Sequence, residues 1–332
     1  MSLATAPVPT AGAVQARPLA RNLLGPALIW AVLIAVPWWL PLLGGYTELA
    51  CSVLIMGLAA MGLNVLLGFT GVMSFGHAAY FGLGAYGAGL TLRYLLPNTP
   101  LAILAGIALG TLAGAAFGAL IVRRKGVYFA MLTIAFGQIC YYIAYSWNDF
   151  TGGYDGLRGF QRQPIALGSW VLDIQSNRVV FYYFVLAVFT VCVGLMAFLL
   201  RSPFGRTLVA IRENQRRARF LGIPVEFHIW LSFTVSTFFA AVAGALYALL
   251  NNFADPLALN YVLSGNLVIM AVLGGMRSFW GPLLGAAVFV VLQDYISSHT
   301  TNWMSFIGLI FVLVVLFFPR GLLGYLRRAV AP

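Results

Sequence analysis

The stretch from Glu48 to Leu67, ELACSVLIMGLAAMGLNVLL, decides the fold of this chain. Its 20 residues contain a single charged side chain, Glu48, which stands at the start. A helix of roughly 20 apolar residues crosses the hydrocarbon core of a bilayer, where a helix satisfies every backbone amide without water. The stretch therefore predicts a transmembrane helix.

The rest of the chain repeats this pattern. Of its 332 residues, 61% are hydrophobic and 8% are charged, and the mean hydropathy is +0.93. A soluble domain carries roughly a quarter charged residues, so the composition excludes one. Apolar runs bounded by charges or turn residues predict an all-α integral membrane protein with about ten transmembrane helices. The predicted spans are residues 24–43, 48–67, 75–95, 101–122, 127–146, 179–200, 227–250, 263–275, 280–296 and 303–319.

The eighth and ninth spans are the least regular of the ten. They flank the sequence GGMRSFWGP at residues 274–282, and the eighth run is short enough for a re-entrant or broken helix. We expect one transmembrane domain over residues 24–325. A disordered cytoplasmic tail is predicted over residues 1–23 and a short cytoplasmic tail over residues 326–332.

The net charge of +11 follows the loops between the spans. Fifteen of the 19 basic residues fall on one side of the predicted topology and four fall on the other. The fifteen are Arg17, Arg21, Arg123, Arg124, Lys125, Arg201, Arg206, Arg212, Arg216, Arg217, Arg219, Arg277, Arg320, Arg327 and Arg328. Loops rich in Arg and Lys face the cytoplasm, so both termini are predicted to be cytoplasmic. The expected contacts of these charges are membrane lipids and not nucleic acid.

The fourth span carries a glycine at every fourth position. The four residues are Gly106, Gly110, Gly114 and Gly118. Such a ridge without side chains lets another helix approach closely. Two interpretations remain open, namely tight packing inside this chain and contact with a partner subunit.

Residue patterns for catalysis and for nucleotide binding are missing from the sequence. No G-x-x-x-x-G-K-[ST] phosphate loop occurs, and the only lysine, Lys125, follows two arginines. His77, His228 and His299 are scattered, and the three cysteines show neither a disulfide nor a zinc pattern. We therefore expect a protein that is not an enzyme and that has no cofactor and no metal ion.

The longest predicted cytoplasmic connection is basic. It reads RSPFGRTLVAIRENQRRARFLGIP over residues 201–224. Residues 207–221 predict one helix, in which Glu213 stands four residues before Arg217. Three arginines would share one face of it, namely Arg212, Arg216 and Arg219. This helix is either held at lipid headgroups or docks a cytoplasmic partner.

Several motifs, in fixed order along the chain, resemble the LivM-type permeases of branched-chain amino acid ABC importers, whose family also includes members for urea and short amides. They are Gly62–Gly68 (GLNVLLG), Gly71–Ala79 (GVMSFGHAA), Gly126–Gly137 (GVYFAMLTIAFG), Thr151–Gly156 (TGGYDG), Phe204–Arg206 (FGR), Ala210–Asn214 (AIREN), Leu221–Ile223 (LGI), Val272–Gly275 (VLGG), Trp280–Ala286 (WGPLLGA) and Phe318–Gly324 (FPRGLLG). The likeness covers roughly residues 45–325.

The resemblance implies an importer in a prokaryotic plasma (inner) membrane. This chain would form half of its translocation pathway, beside a second homologous permease subunit, two cytoplasmic ATPase subunits and an extracytoplasmic substrate-binding protein. Loop 201–226 would couple the chain to the ATPases. The implied coupling residues are Phe204, Gly205, Arg206, Arg212, Glu213, Asn214 and Gly222. Many importer permeases place E-A-A-x-x-x-G in this loop, whereas this chain reads Arg-Arg-Ala at residues 216–218, which offers a more basic face.

Polar side chains inside the apolar runs are candidates for the substrate pathway. They are Asn64, Ser74, His77, Tyr128, Thr133 and Gln138. Each of them can instead make an interhelical hydrogen bond. The outer loop from Thr151 to Gly159 is the longest predicted outer segment, and Thr151, Gly153 and Asp155 are candidates for docking the binding protein.

Two alternatives to a branched-chain amino acid importer remain. The first is the same importer class with urea, short amides or other small solutes as substrate. The second is a carrier or channel that works without ATP. Carriers driven by protons or sodium more often place a carboxylate at the bilayer midplane. Glu48 and Asp294 instead stand near the outer ends of predicted spans, which favours an energy source outside this chain.

Overall fold

The computed structural model of the protein describes residues 19–167, 170–317 and 321–324. Residues 1–18 and 326–332 of the two predicted tails lie outside the described residues. The helices in the described ranges are α1 (Leu19–Trp39), α2 (Thr47–Asn64), α3 (His77–Leu90), α4 (Thr99–Ile121), α5 (Val127–Ser146), α6 (Asn148–Thr151), α7 (Arg178–Arg201), α8 (Pro203–Glu213), α9 (Gln215–Phe220), α10 (Val225–Asn251), α11 (Tyr261–Gly274), α12 (Gly281–His299) and α13 (Trp303–Phe317). Turns of π-helix at Val65–Thr70 and Thr91–Leu95 continue α2 and α3.

The prediction of a mainly helical membrane protein is confirmed. Six helices among the described residues are long and apolar enough to cross a bilayer: α2 with its π turn, α4, α5, α7, α10 and α12. Shorter apolar helices occur at Ile29–Trp39, Tyr261–Gly274 and Trp303–Leu313. At 14 residues, α11 measures about 21 Å, less than a hydrocarbon core of roughly 30 Å. The number of ten crossings therefore stays a prediction.

A small hairpin departs from the all-α prediction. Strands β1 (Ile165–Leu167) and β2 (Trp170–Leu172) pair antiparallel, with Ile165 opposite Leu172. They lie between α6 and α7, outside the apolar runs. Apolar runs do not predict such a segment, because outside the bilayer both water and the hydrogen bonds between two short strands can satisfy the backbone.

Helix α10 lies at the centre of the bundle, packed by α2, α3 and α4. The glycine ridge of α4 is buried in this packing. A Cβ atom at Gly110 would lie 2.6 Å from the Cβ of Ala241 in α10, and one at Gly118 would lie 2.8 Å from the Phe233 ring. The ridge therefore serves close packing inside this chain, the first of the two interpretations left open by the sequence.

The bundle has two chemically distinct ends. At the end that holds the hairpin, which we call the hairpin end, Arg178 pairs with Glu48 at 2.9 Å and the Tyr46 hydroxyl donates to Asp294 at 2.5 Å. Helices α8 and α9 cover the opposite end, which we call the elbow end. Both carboxylates expected near span ends thus lie together at the hairpin end.

Candidate functional site

A break between α2 and α3 interrupts the helical bundle. The π turn ends at Gly71, whose φ of +77° favours glycine, and residues 71–76 then run without helical structure to His77. π turns are rare and occur often at functional sites. The third predicted span, 75–95, therefore begins as irregular backbone and becomes helical at His77.

This break lies deep in the bundle. Nε2 of His77 is 2.7 Å from Oγ of Ser236, the twelfth of the 27 residues of α10. A rise of about 1.5 Å per residue places Ser236 about 16 Å from the start of α10. Irregular backbone at such depth is tolerated only where protein or a water-filled cavity surrounds it.

Side chains from neighbouring helices satisfy the freed backbone amides. The Thr133 hydroxyl of α5 accepts from Phe75 N at 3.2 Å, and the Ser264 hydroxyl of α11 accepts from Ala78 N at 2.8 Å. One amide of the irregular segment and one amide of the first turn of α3 are thus bound by side chains of two other helices. The break is a defined structure held from several sides.

Both ring nitrogens of His77 have partners. The Ser236 hydroxyl donates to the carbonyl of Gly62 at 2.7 Å, so its oxygen accepts the proton on His77 Nε2. Nδ1, 3.0 Å from Oγ of Ser74, then accepts from that hydroxyl. The rings of Tyr80 and Phe233 pack edge-on around the imidazole. With one nitrogen donating and the other accepting, His77 is a neutral imidazole. It connects α3 to Ser236 of α10 and, through that hydroxyl, to Gly62 of α2.

The six predicted pathway residues fall into separate environments. Ser74, His77 and Thr133 are fully buried in the network around the break. Asn64 donates to the carbonyl of Ser278 at 3.1 Å, whereas Tyr128 is exposed on α5 and Gln138 lies half-buried on the same helix. Their assignment to a pathway stays a prediction. Sequence reasoning passed over the buried polar residues Thr70, Ser232, Ser236 and Ser264, although the four-residue spacing of Ser232 and Ser236 places both on one face of α10.

An open cleft of about 420 Å³ adjoins the break from the elbow end. Its walls include Gly71 and Phe75 of the break, Ala130 of α5, and Gln215 of α9. None of the six predicted pathway residues lines it. Arg124 and Lys125 also line it and make part of its wall cationic.

The predicted single helix over residues 207–221 is wrong. Two helices, α8 and α9, are separated at Asn214, whose φ of −160° and ψ of 103° are extended. The Asn214 side chain accepts from Arg217 N and begins α9. We call residues 203–220 the elbow. The bend removes the shared arginine face, and Glu213 pairs with Arg212 instead of Arg217.

Arg212 joins the elbow to the break. Its Nη1 donates to the carbonyl of Gly68, in the π turn, at 2.7 Å. Its Nη2 lies 2.8 Å from the Glu213 carboxylate, and this hydrogen bond lowers the pKa of Glu213. Arg212 is partly buried, so it binds its own chain and offers little surface to a partner. Beside it, Gly71 leaves no room for a Cβ, which would lie 2.6 Å from the arginine Cγ.

The other predicted coupling residues spread over both faces of the elbow. Gly205 is buried and Phe204 stacks on His228, whereas the exposed members are Arg206, Glu213, Asn214 and Gly222. The most exposed apolar side chains of the elbow region are Phe220 at 91% and Leu221 at 73%. Sequence reasoning did not single out these two, because exposure depends on where α9 ends.

The predicted docking loop is ordered by its own contacts. The Thr151 hydroxyl donates towards the carbonyls of Ala144 and Trp147 at 2.6 and 2.7 Å, which holds the end of α5. Thr151 and Gly153 are buried and Asp155 is exposed. Docking of a binding protein by these three residues stays a prediction, with Asp155 the accessible one.

Comparisons with known proteins agree on one family. Residues 45–315 match the family described as the branched-chain amino acid transport system permease component. The high-affinity branched-chain amino acid transport permease LivM of Salmonella typhimurium is 29% identical, over 90% of this chain and 75% of that protein. BraD of Pseudomonas aeruginosa is 29% identical over 80% of this chain and 91% of its own length. LivH of Salmonella typhimurium is 26% identical over 80% and 90%.

No solved structure was found to match the chain. The family match covers most of the apolar bundle, including the break and the elbow. The chain therefore belongs to the family of branched-chain amino acid transport system permease components.

Proposed function

We propose that this chain is a transmembrane permease subunit of an ATP-driven importer and forms half of a pathway for branched-chain amino acids. The observation that carries the proposal is the family match over residues 45–315. Similar proteins named as high-affinity branched-chain amino acid permeases support the substrate class. The partners are a second homologous permease, two ATPases and an extracytoplasmic binding protein.

The contact between Arg212 and Gly68 suggests how an ATPase would act on the pathway. A subunit docked on the elbow moves α8, and Arg212 transmits that movement to the π turn of α2. Since the break follows this turn directly, the cleft beside residues 71–75 opens or closes with the elbow. The exposed Phe220 and Leu221, which follow Arg216, Arg217 and Arg219 in the sequence, suit an apolar groove with acidic edges on the docked subunit.

The first test is the composition of the intact transporter. Purified in mild detergent from its native membrane, this chain is expected to bring with it a second permease and an ATPase, and the assembled complex is expected to hydrolyse ATP. The chain freed of the other subunits is expected to show no hydrolysis, because its sequence has no phosphate loop. Mass spectrometry of the ligand carried by the binding protein identifies the substrate. Recovery of the chain without an ATPase, together with uptake that persists without ATP, contradicts the proposal.

A second test concerns orientation, since we propose that the elbow end faces the cytoplasm. Tyr154, 74% exposed at the hairpin end, and Lys125, exposed at the elbow end, are suitable positions for single cysteines. We expect a membrane-impermeant maleimide to label Tyr154→Cys in intact spheroplasts and Lys125→Cys only after permeabilisation. The native cysteines Cys51, Cys140 and Cys192 are buried and contribute little background. The reverse labelling pattern contradicts the orientation.

A further inference from the structure

The cleft at the elbow end has the size and the walls of a site for a small molecule. Its volume of about 420 Å³ falls in the range of ligand pockets, roughly 300–1,000 Å³. Its lining residues come from the break, from the stretch between Arg124 and Ala130, from Gln215 of α9 and from Ile229 of α10. The cleft therefore lies where the elbow, the break and the start of α5 meet.

Part of the wall is apolar and firmly held. Phe129 and Ile229 are buried members of an apolar cluster at the elbow end, and Val72 of the break packs against the same cluster. Phe75 and Ala130 add further apolar surface. A wall that is supported in this way offers an aliphatic side chain a preformed contact.

The charged part of the wall is cationic. Arg124 and Lys125 line the cleft, and neither makes an ion pair within the described part of the chain. By contrast, two arginines of the elbow, Arg212 and Arg219, are paired with glutamates. No carboxylate lines the cleft among the described residues, so the charges of its wall attract an anion. Arginine and lysine are common partners of carboxylate groups.

An uncharged polar residue completes the lining. Gln215 carries an amide oxygen, which accepts hydrogen bonds from a group such as ammonium. The cleft thus combines cations for a carboxylate, an acceptor for an ammonium group and an apolar wall. These contacts match the three parts of an α-amino acid with an aliphatic side chain.

We infer that the cleft binds a branched-chain amino acid that enters from the elbow side. Its carboxylate lies against Arg124 and Lys125, its ammonium group at Gln215, and its side chain against the apolar wall. This inference rests on the proposed function, which supplies the amino acid and places the elbow end in the cytoplasm. The site is separate from the six predicted pathway residues, none of which lines the cleft.

The bound amino acid connects two segments whose relative movement drives transport in the proposed function. Gln215 belongs to α9, whereas Val72 and Phe75 belong to the break. A ligand that contacts both segments favours the arrangement in which they lie together, because a ligand shifts an equilibrium toward the state that it binds more tightly. Amino acid that has accumulated in the cytoplasm therefore slows the importer.

ATP hydrolysis by the whole transporter, reconstituted in vesicles, tests the site. The binding protein, saturated with leucine, is enclosed in the vesicles and ATP is added outside, so hydrolysis reports only transporters whose ATPases face outward. Leucine added outside then reaches the elbow end, and we expect it to inhibit hydrolysis in the millimolar range. Leucinamide lacks the carboxylate and alanine lacks the branched side chain. Each is expected to need a concentration about fivefold higher or more for the same inhibition.

Variants of the cleft assign the inhibition to this site. Hydrolysis by each variant is expressed relative to its own rate without external leucine. Replacing both cations, Arg124→Gln with Lys125→Gln, is expected to raise the half-inhibiting concentration of leucine about fivefold. Arg123→Gln removes the adjacent exposed cation, which does not line the cleft, and is expected to keep the concentration of the parent protein. Ala130→Leu narrows the cleft and is expected to raise the concentration, whereas Ala135→Leu, on the exposed face of α5, is not.

The outcomes separate this inference from the proposed function. Hydrolysis that external leucine leaves unchanged, or a double variant with the sensitivity of the parent protein, contradicts the inference, while the proposed function stands as long as the transporter moves leucine. An effect of the double variant that depends on anionic lipids and not on leucine would assign the two cations to lipid headgroups and overturn the inference as well. If the transporter neither hydrolyses ATP nor moves leucine, both fail.

Discussion

Arg212→Ala is expected to lower substrate uptake by about tenfold or more at an unchanged membrane level of the protein. The guanidinium is the link that joins the elbow to the π turn of α2, through the 2.7 Å hydrogen bond to Gly68. Hydrogen bonds that involve a charged group contribute about 1.5–3 kcal/mol, and this one lies at the junction that the ATPase must move. Uptake and ATP hydrolysis in the reconstituted importer measure the effect.

The controls separate this link from the charge of the elbow as a whole. Arg206→Ala removes an exposed charge from the same helix and is expected to change uptake much less. Glu213→Ala removes the exposed partner of Arg212 but leaves the bond to Gly68, so its effect is expected to be intermediate. Uptake at the parent level in both Arg212→Ala and Arg206→Ala would show that the elbow is a passive surface feature.

Gly84→Val is expected to remove most of the folded protein from the membrane. Gly84 lies where α3 crosses α10, and a Cβ there would lie 2.8 Å from the Cα of Ala241 and closer still to its carbonyl oxygen. The obstructing atoms are backbone, so no rotamer change relieves the clash. Overpacking of this kind costs about 1–3 kcal/mol or more, and α3, α4 and α10 share this contact region. Thermal unfolding in detergent and membrane abundance measure the loss.

Gly194→Val is the matched control for that substitution. Gly194 is an exposed glycine of α7, and a Cβ at this position meets no atom within 4 Å. Both variants insert the same β-branched side chain into a membrane helix, so helix propensity and hydrophobicity change alike. We expect Gly194→Val to accumulate and unfold like the parent protein. Similar losses in both variants would mean that the close approach at Gly84 contributes little.

The sequence predicted the glycine ridge of α4 and the α5 boundaries correctly for a common reason. Both depend on local patterns. Residues spaced by four lie on one face of a helix, and an apolar run between charges has the length of the helix that it forms. Residues 127–146 were predicted and observed as one helix. The bend at Asn214 has a local cause too, but residues 207–221 also read as a helical run, so the pattern did not distinguish one helix from two.

Apolar runs therefore determined by themselves that this chain is a helical membrane protein, because a bilayer leaves the backbone few other ways to satisfy its amides. Tertiary structure alone decided where the break begins and what holds it. Arg212 and Gly68 are 144 residues apart, and His77 and Ser236 are 159 apart. Contacts between residues so distant leave no periodic trace in a single sequence. They arise only when the packing of α2, α3, α8 and α10 brings the groups together.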